Sequence, residues 1–431
     1  MSLVIRNGRL VDPKSGIDAP RDVVIADGRV SAIVEARSAD VEGAQVIDAT
    51  GRWVAPGFVE LAAHFREPGH EYKEDLASGA AAAAAGGFTH VAVAPDTDPV
   101  TDNVEAVEFI ERRGARLESC EILPVGAATV GLRGESMAPV AEMFKGGAVA
   151  VGDAGHWIKS TSLMRRLLEY CGDFNIPVLS RPSDPEVARS GEVHEGEVST
   201  ALGLRGIPRT AEELAVARDL LVAEHTGGAV HLSGISTAGS VRMVREAKAR
   251  GVRVSADANP LHLLLTHESL FGFPVTLKVR PPLRESADRM ALIEGLKDGT
   301  LDCLASHHAP QSVMEKDSTF QGAEFGATGL QTAISLALAL VREHDVPALT
   351  LVRALSHAPA SVLGLDVGHI SEGAEANLTV IDPTGTWTLD ASSNRSKSAY
   401  CYHFGKTLQG RVHQTVKRGR LLVHEGADAS L

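Results

Sequence analysis

Residues 54–65 read VAPGFVELAAHF, a short apolar run that ends in polar side chains and is followed by a segment of helical composition. The same order recurs through the middle of the chain. The eight runs are VAPGFVELAAHF (54–65), THVAVAPD (89–96), EILPVGAA (121–128), AVAVGDAG (148–155), PVLSRPSD (177–184), AVHLSGIS (229–236), RVSADANP (253–260) and DCLASHHAP (302–310). Eight strand-then-helix units over about 310 residues match a TIM (β/α)8 barrel in number and length. We therefore predict an α/β fold with a barrel over residues 54–367.

The two ends of the chain have a different pattern. Residues 1–53 alternate short β-branched runs with Gly-containing turns, as in LVIRNGRLVD and DVVIADGRVSAIV. Residues 368–431 continue in the same style with ANLTVIDP and GRVHQTVKRGRLLV, and they show little helical periodicity. We predict that 1–53 and 368–431 together form one small β-domain.

Composition and charge exclude several classes of protein. The 431 residues are 44% hydrophobic and 23% charged, which is typical of a globular chain and not of a disordered one. A net charge of -13 provides no basic surface for nucleic acid or for an anionic membrane. The most apolar segment, residues 327–344, has only about 14 largely apolar residues, fewer than the roughly 20 that cross a bilayer. It predicts a buried helix.

The cysteines and the N-terminus indicate a cellular compartment. Four cysteines lie far apart without a CxxC motif, and residues 1–16 lack the charged-then-apolar run of a signal peptide. We expect a reduced, cytoplasmic protein.

Polar residues at the ends of the eight runs indicate where a site would lie. In a TIM barrel, catalytic groups stand at the C-terminal ends of the strands. Six of the eight runs carry such groups. The run at residues 229–236 has Gly234 at this position, which contributes no side chain. The polar residues are His64, Arg66, Asp96, Asp153, Arg181, Asp257, His307 and His308. We expect these side chains to converge on one mouth.

Several longer motifs resemble a known family. PGFVELAAHFREPG, KEDLASGAAAAAAGGFTHVAVAPDT, GISTAGSV, PLHLLLTHESL, RPPLRESADR, LASHHAP and FGATGLQT are similar to blocks of type I dihydroorotases, members of the amidohydrolase superfamily. The similarity runs nearly from end to end. It implies the barrel and β-domain, and it implies the reversible closure of carbamoyl aspartate to dihydroorotate, with zinc supplying a hydroxide and polarising a carbonyl.

The metal-ligand positions that the resemblance implies are mostly changed. Asp153 matches a bridging carboxylate, and His64 matches one histidine of a His-x-His pair whose other member is Ala62 here. Arg181 and Gly234 stand where the family has histidine ligands. His307 stands where the family has the aspartate that serves as general base and ligand.

These replacements argue against a binuclear zinc centre. Ala62 and Gly234 have no donor atom, and the guanidinium of Arg181 repels a cation. We expect no cofactor, or at most one zinc on His64, Asp153 and His307; the alternative is that these three are hydrogen-bonded polar remnants. Arg181 is expected to pair with Asp153 or with another carboxylate at the mouth.

The substrate-binding positions implied by the resemblance have changed as well. Arg66 matches the arginine that binds the substrate carboxylate. Asp96 and Arg280 each replace a family asparagine. Another possibility is that Arg66 and Asp96 form an ion pair across the mouth, which would cancel the anion site.

Two functions remain open. The first is an inactive dihydroorotase-like subunit of pyrimidine biosynthesis, a pseudoenzyme that supports the assembly of aspartate carbamoyltransferase and resembles inactive chains that accompany that enzyme. The second is an active cyclic amidohydrolase, either a dihydroorotase or a hydantoinase- or allantoinase-like enzyme, with an altered metal site. Loss of several members of one catalytic unit favours the first. We predict the inactive subunit, at least homodimeric, with no assigned catalytic residue apart from the candidate His307.

Overall fold

The computed structural model describes residues 2–422, and its strands fall into three groups along the chain. The first group is β1 (Ser2–Asp12), β2 (Ile17–Ala26), β3 (Arg29–Glu35), β4 (Gln45–Asp48) and β5 (Trp53–Pro56). The second is β6 (Phe58–Ala63), β7 (Phe88–Val93), β8 (Glu121–Gly126), β9 (Ala150–Gly152), β10 (Val178–Ser180), β11 (Val193–His194), β12 (Gly206–Ile207), β13 (Val230–Leu232), β14 (Val254–Ala258) and β15 (Cys303–Leu304). The third is β16 (Leu378–Thr388), β17 (Thr407–Lys417) and β18 (Arg420–Leu422).

Helices separate the strands of the second group. They are α1 (Leu76–Ala85), α2 (Val104–Gly114), α3 (Val140–Lys145), α4 (Thr161–Phe174), α5 (Pro185–Ala188), α6 (Glu197–Leu202), α7 (Arg209–Thr226), α8 (Ala238–Ala249), α9 (Pro260–Leu264), α10 (Ser286–Lys297), α11 (Val313–Lys316), α12 (Ala333–His344), α13 (Ala348–Leu355) and α14 (His357–Val362). Short 3-10 turns lie at Val130–Leu132, His267–Leu270, Val275–Leu277 and Leu330–Thr332. Several helices begin at side-chain caps; Asp75, for example, accepts a hydrogen bond from the backbone N of Ser78 at 2.7 Å.

Eight strands of the second group form one curled parallel sheet in the order β6-β7-β8-β9-β10-β13-β14-β15. Each of the eight apolar runs contains one of these strands, so the predicted α/β pattern is confirmed. All six residues of β7 are buried, as expected for a parallel strand covered on both faces. The curl brings the ends of the two outer strands, β6 and β15, close together. The backbone N of His64, just after β6, donates to the carbonyl of His308, shortly after β15, at 2.8 Å. The C-terminal strand ends therefore surround one mouth.

The two chain ends share a second sheet, in the order β18-β17-β16-β5-β1-β2-β3 with β4 paired to β1. The ends meet where β16 runs antiparallel to β5, with Leu378 opposite Pro56. Leu3, Val54 and Val416 are buried in the core of this sheet. Strand β5 continues past residue 53, so it crosses the limit expected between the two domains. Residues 1 and 423–431 of the predicted β-domain lie outside the described residues.

The second sheet packs on the parallel sheet through a close backbone contact. Thr379 Oγ1 donates to the carbonyl of Gly87 at 2.8 Å. Gly87 has a φ of 86°, and a Cβ atom there would lie 2.9 Å from Thr379 Oγ1. This contact requires glycine for both conformation and space.

The apolar segment 327–344 contains a mostly buried helix, as predicted. It contains α12, whose residues 333–340 are all buried. Within residues 2–422, no helix is both long enough and apolar enough to cross a membrane.

Candidate active site

A cavity of about 200 Å³ lies at the mouth of the parallel sheet. It is lined by side chains from the first, fifth and eighth strand ends and from the loop before α10, among them His64, Arg66, Arg181, Arg280 and His307. A second cavity of about 720 Å³ shares Arg181 and Arg280 with the first. Four of the eight strand-end residues, His64, Arg66, Arg181 and His307, line the first cavity, and Asp153 lines the second. Asp96 and Asp257 line neither cavity and contact the lining residues His64 and His307.

Arg66 and His64 are both held by Asp96. Arg66 Nη1 lies 2.9 Å from Asp96 Oδ2, and His64 Nδ1 lies 2.8 Å from the same carboxylate. Burial raises the pKa of Asp96, but His64 and Arg66 outweigh burial and lower the pKa to about 2. Asp96 is therefore ionised and balances the charge of Arg66. This is the ion pair that the sequence raised as a possibility.

Asp257, at the end of β14, links two buried histidines. Its Oδ1 lies 2.6 Å from His307 Nε2, and its Oδ2 lies 2.9 Å from His231 Nε2. His231 Nδ1 in turn lies 2.8 Å from Ser255 Oγ. The backbone N of Gly234 donates to Asp257 Oδ1 at 2.8 Å. The carboxylate thus accepts hydrogen bonds from three directions inside the barrel.

This network fixes the proton positions on His307. Burial raises the pKa of Asp257, but the two histidines reverse that effect and hold its pKa well below the usual range. Burial lowers the pKa of His307, so its imidazole is neutral near pH 7. A neutral ring that donates from Nε2 to Asp257 carries its lone pair on Nδ1. His307 is therefore a neutral base whose ring orientation is set by a carboxylate.

Arg181 occupies the space in front of that base. Its Nη1 donates to His307 Nδ1 at 2.7 Å, and its Nη2 donates to the carbonyl of Arg280. The predicted pairing with Asp153, or with another carboxylate, is wrong: Arg181 forms no ion pair with any residue between 2 and 422. Asp153 instead accepts from the backbone N of Thr129 at 2.9 Å and from its hydroxyl, and burial raises its pKa.

The donor set does not fit a binuclear zinc centre. Ala62 and Gly234 offer no ligand atom, and the guanidinium of Arg181 places positive charge inside the mouth. A Cβ atom at Gly234 would lie 3.1 Å from His307 Cε1, so the imidazole of His307 fills the space beside this glycine. We derive no catalytic step through zinc.

The three residues expected to hold a single zinc do not form a metal site either. Each is engaged by a different partner, and in the described part of the chain no three His, Cys, Asp or Glu side chains are grouped to hold a metal ion. The three pairs are His64 with Asp96, Asp153 with Thr129, and His307 with Asp257.

Sequence reasoning missed His231. It lies inside β13 and not at a strand end, and its side chain reaches the carboxylate of Asp257 on the neighbouring strand. A histidine within a buried apolar run was the available signal, because a buried polar side chain needs a partner.

Comparison with known proteins identifies the family. The family model described as Dihydro-orotase-like matches residues 51–240. The chain is 44% identical over 426 residues to a protein named Dihydroorotase from Anaeromyxobacter dehalogenans (strain 2CP-C), covering 98% of each chain. It is 42% identical over 422 residues to a Dihydroorotase from Pelobacter propionicus, covering 98% of this chain and 99% of that one.

The chain belongs to the dihydroorotase family.

Solved structures agree with this dihydroorotase family fold. The chain is similar to the L-hydantoinase (dihydropyrimidinase) of Arthrobacter aurescens, with a TM-score of 0.86, 24% identity, and coverage of 98% of this chain and 96% of that one. A D-hydantoinase structure matches with a TM-score of 0.83 at 20% identity, over 98% of this chain and 95% of that one. At this level of identity the likeness shows the fold.

The expectation of an inactive dihydroorotase-like subunit is wrong. Full-length relatives at 40 to 44% identity are named Dihydroorotase, which supports the alternative of an active cyclic amidohydrolase. The same finding corrects the expectation that the chain is not an enzyme, and the expectation of no cofactor gains no support from these relatives. The expectation rested on the changed ligand positions alone, whereas the relatives that share this chain's full length are named as the enzyme.

Proposed function

We propose that this member of the dihydroorotase family is an active cyclic amidohydrolase of pyrimidine biosynthesis, which interconverts dihydroorotate and carbamoyl aspartate. The observation that carries the proposal is the 40 to 44% identity to proteins named Dihydroorotase over 98 to 99% of the chain. The convergence of polar strand-end residues on one cavity supports it.

In this proposal His307 is the general base. Ring opening forms a C–O bond from water to the amide carbon and breaks the C–N bond of the ring. A neutral His307 can accept the water proton on Nδ1 and return it to the departing nitrogen. Asp257, 2.6 Å from Nε2, positions the ring and stabilises the imidazolium that forms. Arg181 must first release Nδ1, because it donates to that atom in the structure.

The test is turnover of dihydroorotate and carbamoyl aspartate by the purified chain and by His307→Gln. We expect the wild type to be active and His307→Gln to lose about 10² to 10⁴ of its rate, the usual contribution of a general base. His225→Gln is the matched control, because His225 is exposed in the last turn of α7. It should keep the wild-type rate.

The assay needs preparations with defined metal content. Turnover is measured on protein purified without chelators, with elemental analysis for zinc, and again after zinc is added. Absence of turnover in all preparations would overturn the proposed activity. Turnover that is unchanged in His307→Gln would support the proposed activity and show that His307 is not its general base.

We also propose that the curled parallel sheet is a closed TIM barrel and that the second sheet is a separate β-domain. The hydrogen bond from His64 N to the carbonyl of His308 supports closure. Pairing of β16 with β5 supports a domain made from both chain ends.

We propose, from the family resemblance alone, that the chain is at least a homodimer and associates with aspartate carbamoyltransferase. Size-exclusion chromatography with light scattering on the mixed proteins tests this. Two independent peaks at micromolar concentration, with transcarbamoylase activity unchanged by this chain, would refute it.

A further inference from the structure

Three arginines line the small cavity, and their charges are balanced differently. Arg66 is paired with Asp96 at 2.9 Å. Arg181 donates to a neutral imidazole and to a backbone carbonyl, and Arg280 stacks on the ring of Phe325 at 4.1 Å. Neither Arg181 nor Arg280 has an ion-pair partner among residues 2–422. Two guanidinium groups therefore line the cavity with no carboxylate of the described residues within salt-bridge distance; Asp257 acts on Arg181, and Glu324 on Arg280, only from farther away.

The carboxylates of the surrounding strands are already engaged. Asp257 holds His307 and His231, and Asp153 holds Thr129. Glu212 holds both the backbone N and the hydroxyl of Ser236, and it lies 3.5 Å from Arg284. Moving one of these carboxylates to an arginine would leave another polar group unpaired. Glu324, which is exposed and acts on Arg280, lies beyond salt-bridge distance in the structure.

Arg181 is half-buried, and its charge is costly there. Burial lowers the pKa of Arg181 and the nearby Arg280 adds to that effect, although Asp257 opposes it. An anion bound between them would remove the repulsion. Two guanidinium groups offer the planar, paired donors that match a carboxylate.

We infer that Arg181 and Arg280 form the anion site of this mouth, and that they bind the carboxylate of the cyclic amide in place of Arg66. The inference rests on the proposed function for the identity of the ligand. The cavity of about 200 Å³ suits a small single ring. Binding also has a mechanistic consequence. A carboxylate that draws Arg181 away from His307 Nδ1 frees the base only when substrate is present.

The test is calorimetric titration of the full chain with dihydroorotate, with dihydrouracil and with inorganic phosphate. Dihydrouracil is the same ring without the carboxylate, and we expect it to bind at least tenfold more weakly. Arg181→Met and Arg280→Met should each weaken dihydroorotate binding by about 10- to 100-fold, the usual effect of losing a charge-assisted hydrogen bond. Both variants should leave dihydrouracil binding unchanged.

Arg342→Met is the matched control, because Arg342 is exposed on α12. It should bind dihydroorotate as the wild type does. Thermal unfolding verifies that each variant is folded. If Arg181→Met does not fold, Arg280→Met still tests the inference, because Arg280 is exposed at the rim of the cavity and its replacement should not disturb folding.

Three results would overturn the inference: dihydroorotate affinity that is unchanged in both variants, equal binding of dihydrouracil, or Arg181-dependent binding of phosphate without binding of dihydroorotate. These outcomes are independent of turnover. An inactive chain that binds dihydroorotate through Arg181 would refute the proposed function alone.

Discussion

Replacing Asp257 by asparagine tests the buried network at the centre of the site. The carboxylate is fully buried and accepts from His307 at 2.6 Å, His231 at 2.9 Å and the backbone of Gly234 at 2.8 Å. An asparagine NH2 group must face at least one N–H donor, so one histidine loses its partner or changes tautomer. Removing one partner of a buried charged network costs about 3 to 5 kcal/mol.

The expected change in melting temperature follows from the chain length. At about 2.1 cal/mol/K per residue, the unfolding entropy of the 431-residue chain is about 0.9 kcal/mol/K. Asp257→Asn should therefore lower Tm by about 3 to 6 °C at pH 7. Because the pKa of Asp257 is lowered in the fold, its stabilisation is complete above its unfolded value of about 3.9 and is lost as pH falls through the folded value. The difference should persist from pH 6 to 8 and shrink below pH 4.

Calorimetric scans of wild type and variant measure this, with Asp18→Asn as the matched control. Asp18 forms a surface pair with Arg9, which is worth less than about 1 kcal/mol and corresponds to about 1 °C. A Tm for Asp257→Asn within 1 °C of the wild type would refute the reasoning, because the three hydrogen bonds would then contribute nothing.

Two further variants probe the neighbouring contacts. Asp96→Asn should lower the free energy of unfolding by on the order of 2 kcal/mol at pH 7, since the pKa of Asp96 is held near 2. The Tm difference from the wild type should vanish as pH falls towards 2. A pH-independent difference would contradict the ion pair with Arg66. Gly87→Ala should lower Tm by at least about 1 °C, because the φ of 86° at Gly87 is unfavourable for alanine and the added Cβ would lie 2.9 Å from Thr379 Oγ1. Gly43→Ala is the control, because Gly43 has a similar φ with open space around it, and it should lower Tm less.

The parallel sheet could be predicted because its strands lie in short, mainly apolar runs that are each followed by a helical segment. Buried parallel strands need no alternation, so THVAVAPD and EILPVGAA indicate both the strand and its end. The position of His64, Arg181 and His307 around one cavity followed from that topology. The pairing of the chain ends was predicted as well, although strand β5 runs on to Pro56.

Side-chain partners could not be predicted in the same way. The sequence predicted that Arg181 pairs with Asp153. It does not show that Thr129, which follows β8, lies next to Asp153 and donates a hydrogen bond to its carboxylate. Nor does it show that the guanidinium extends to the eighth strand. Opposite charges at two strand ends are compatible with many pairings, and local donors decide among them.

Three of the positions that the resemblance assigns to metal ligands, Arg181, Gly234 and His307, lie together in this chain. Arg181 donates to His307 Nδ1, and Gly234 both leaves room beside that imidazole and donates its backbone N to Asp257. A histidine at 234 would place its Cβ 3.1 Å from His307 Cε1, at a φ of 71° that favours glycine. Glycine at 234 and histidine at 307 are therefore sterically coupled, and Arg181 completes the hydrogen bonds of the new imidazole. The guanidinium of Arg181 therefore stands beside His307 at a position where the resemblance implies a metal ligand.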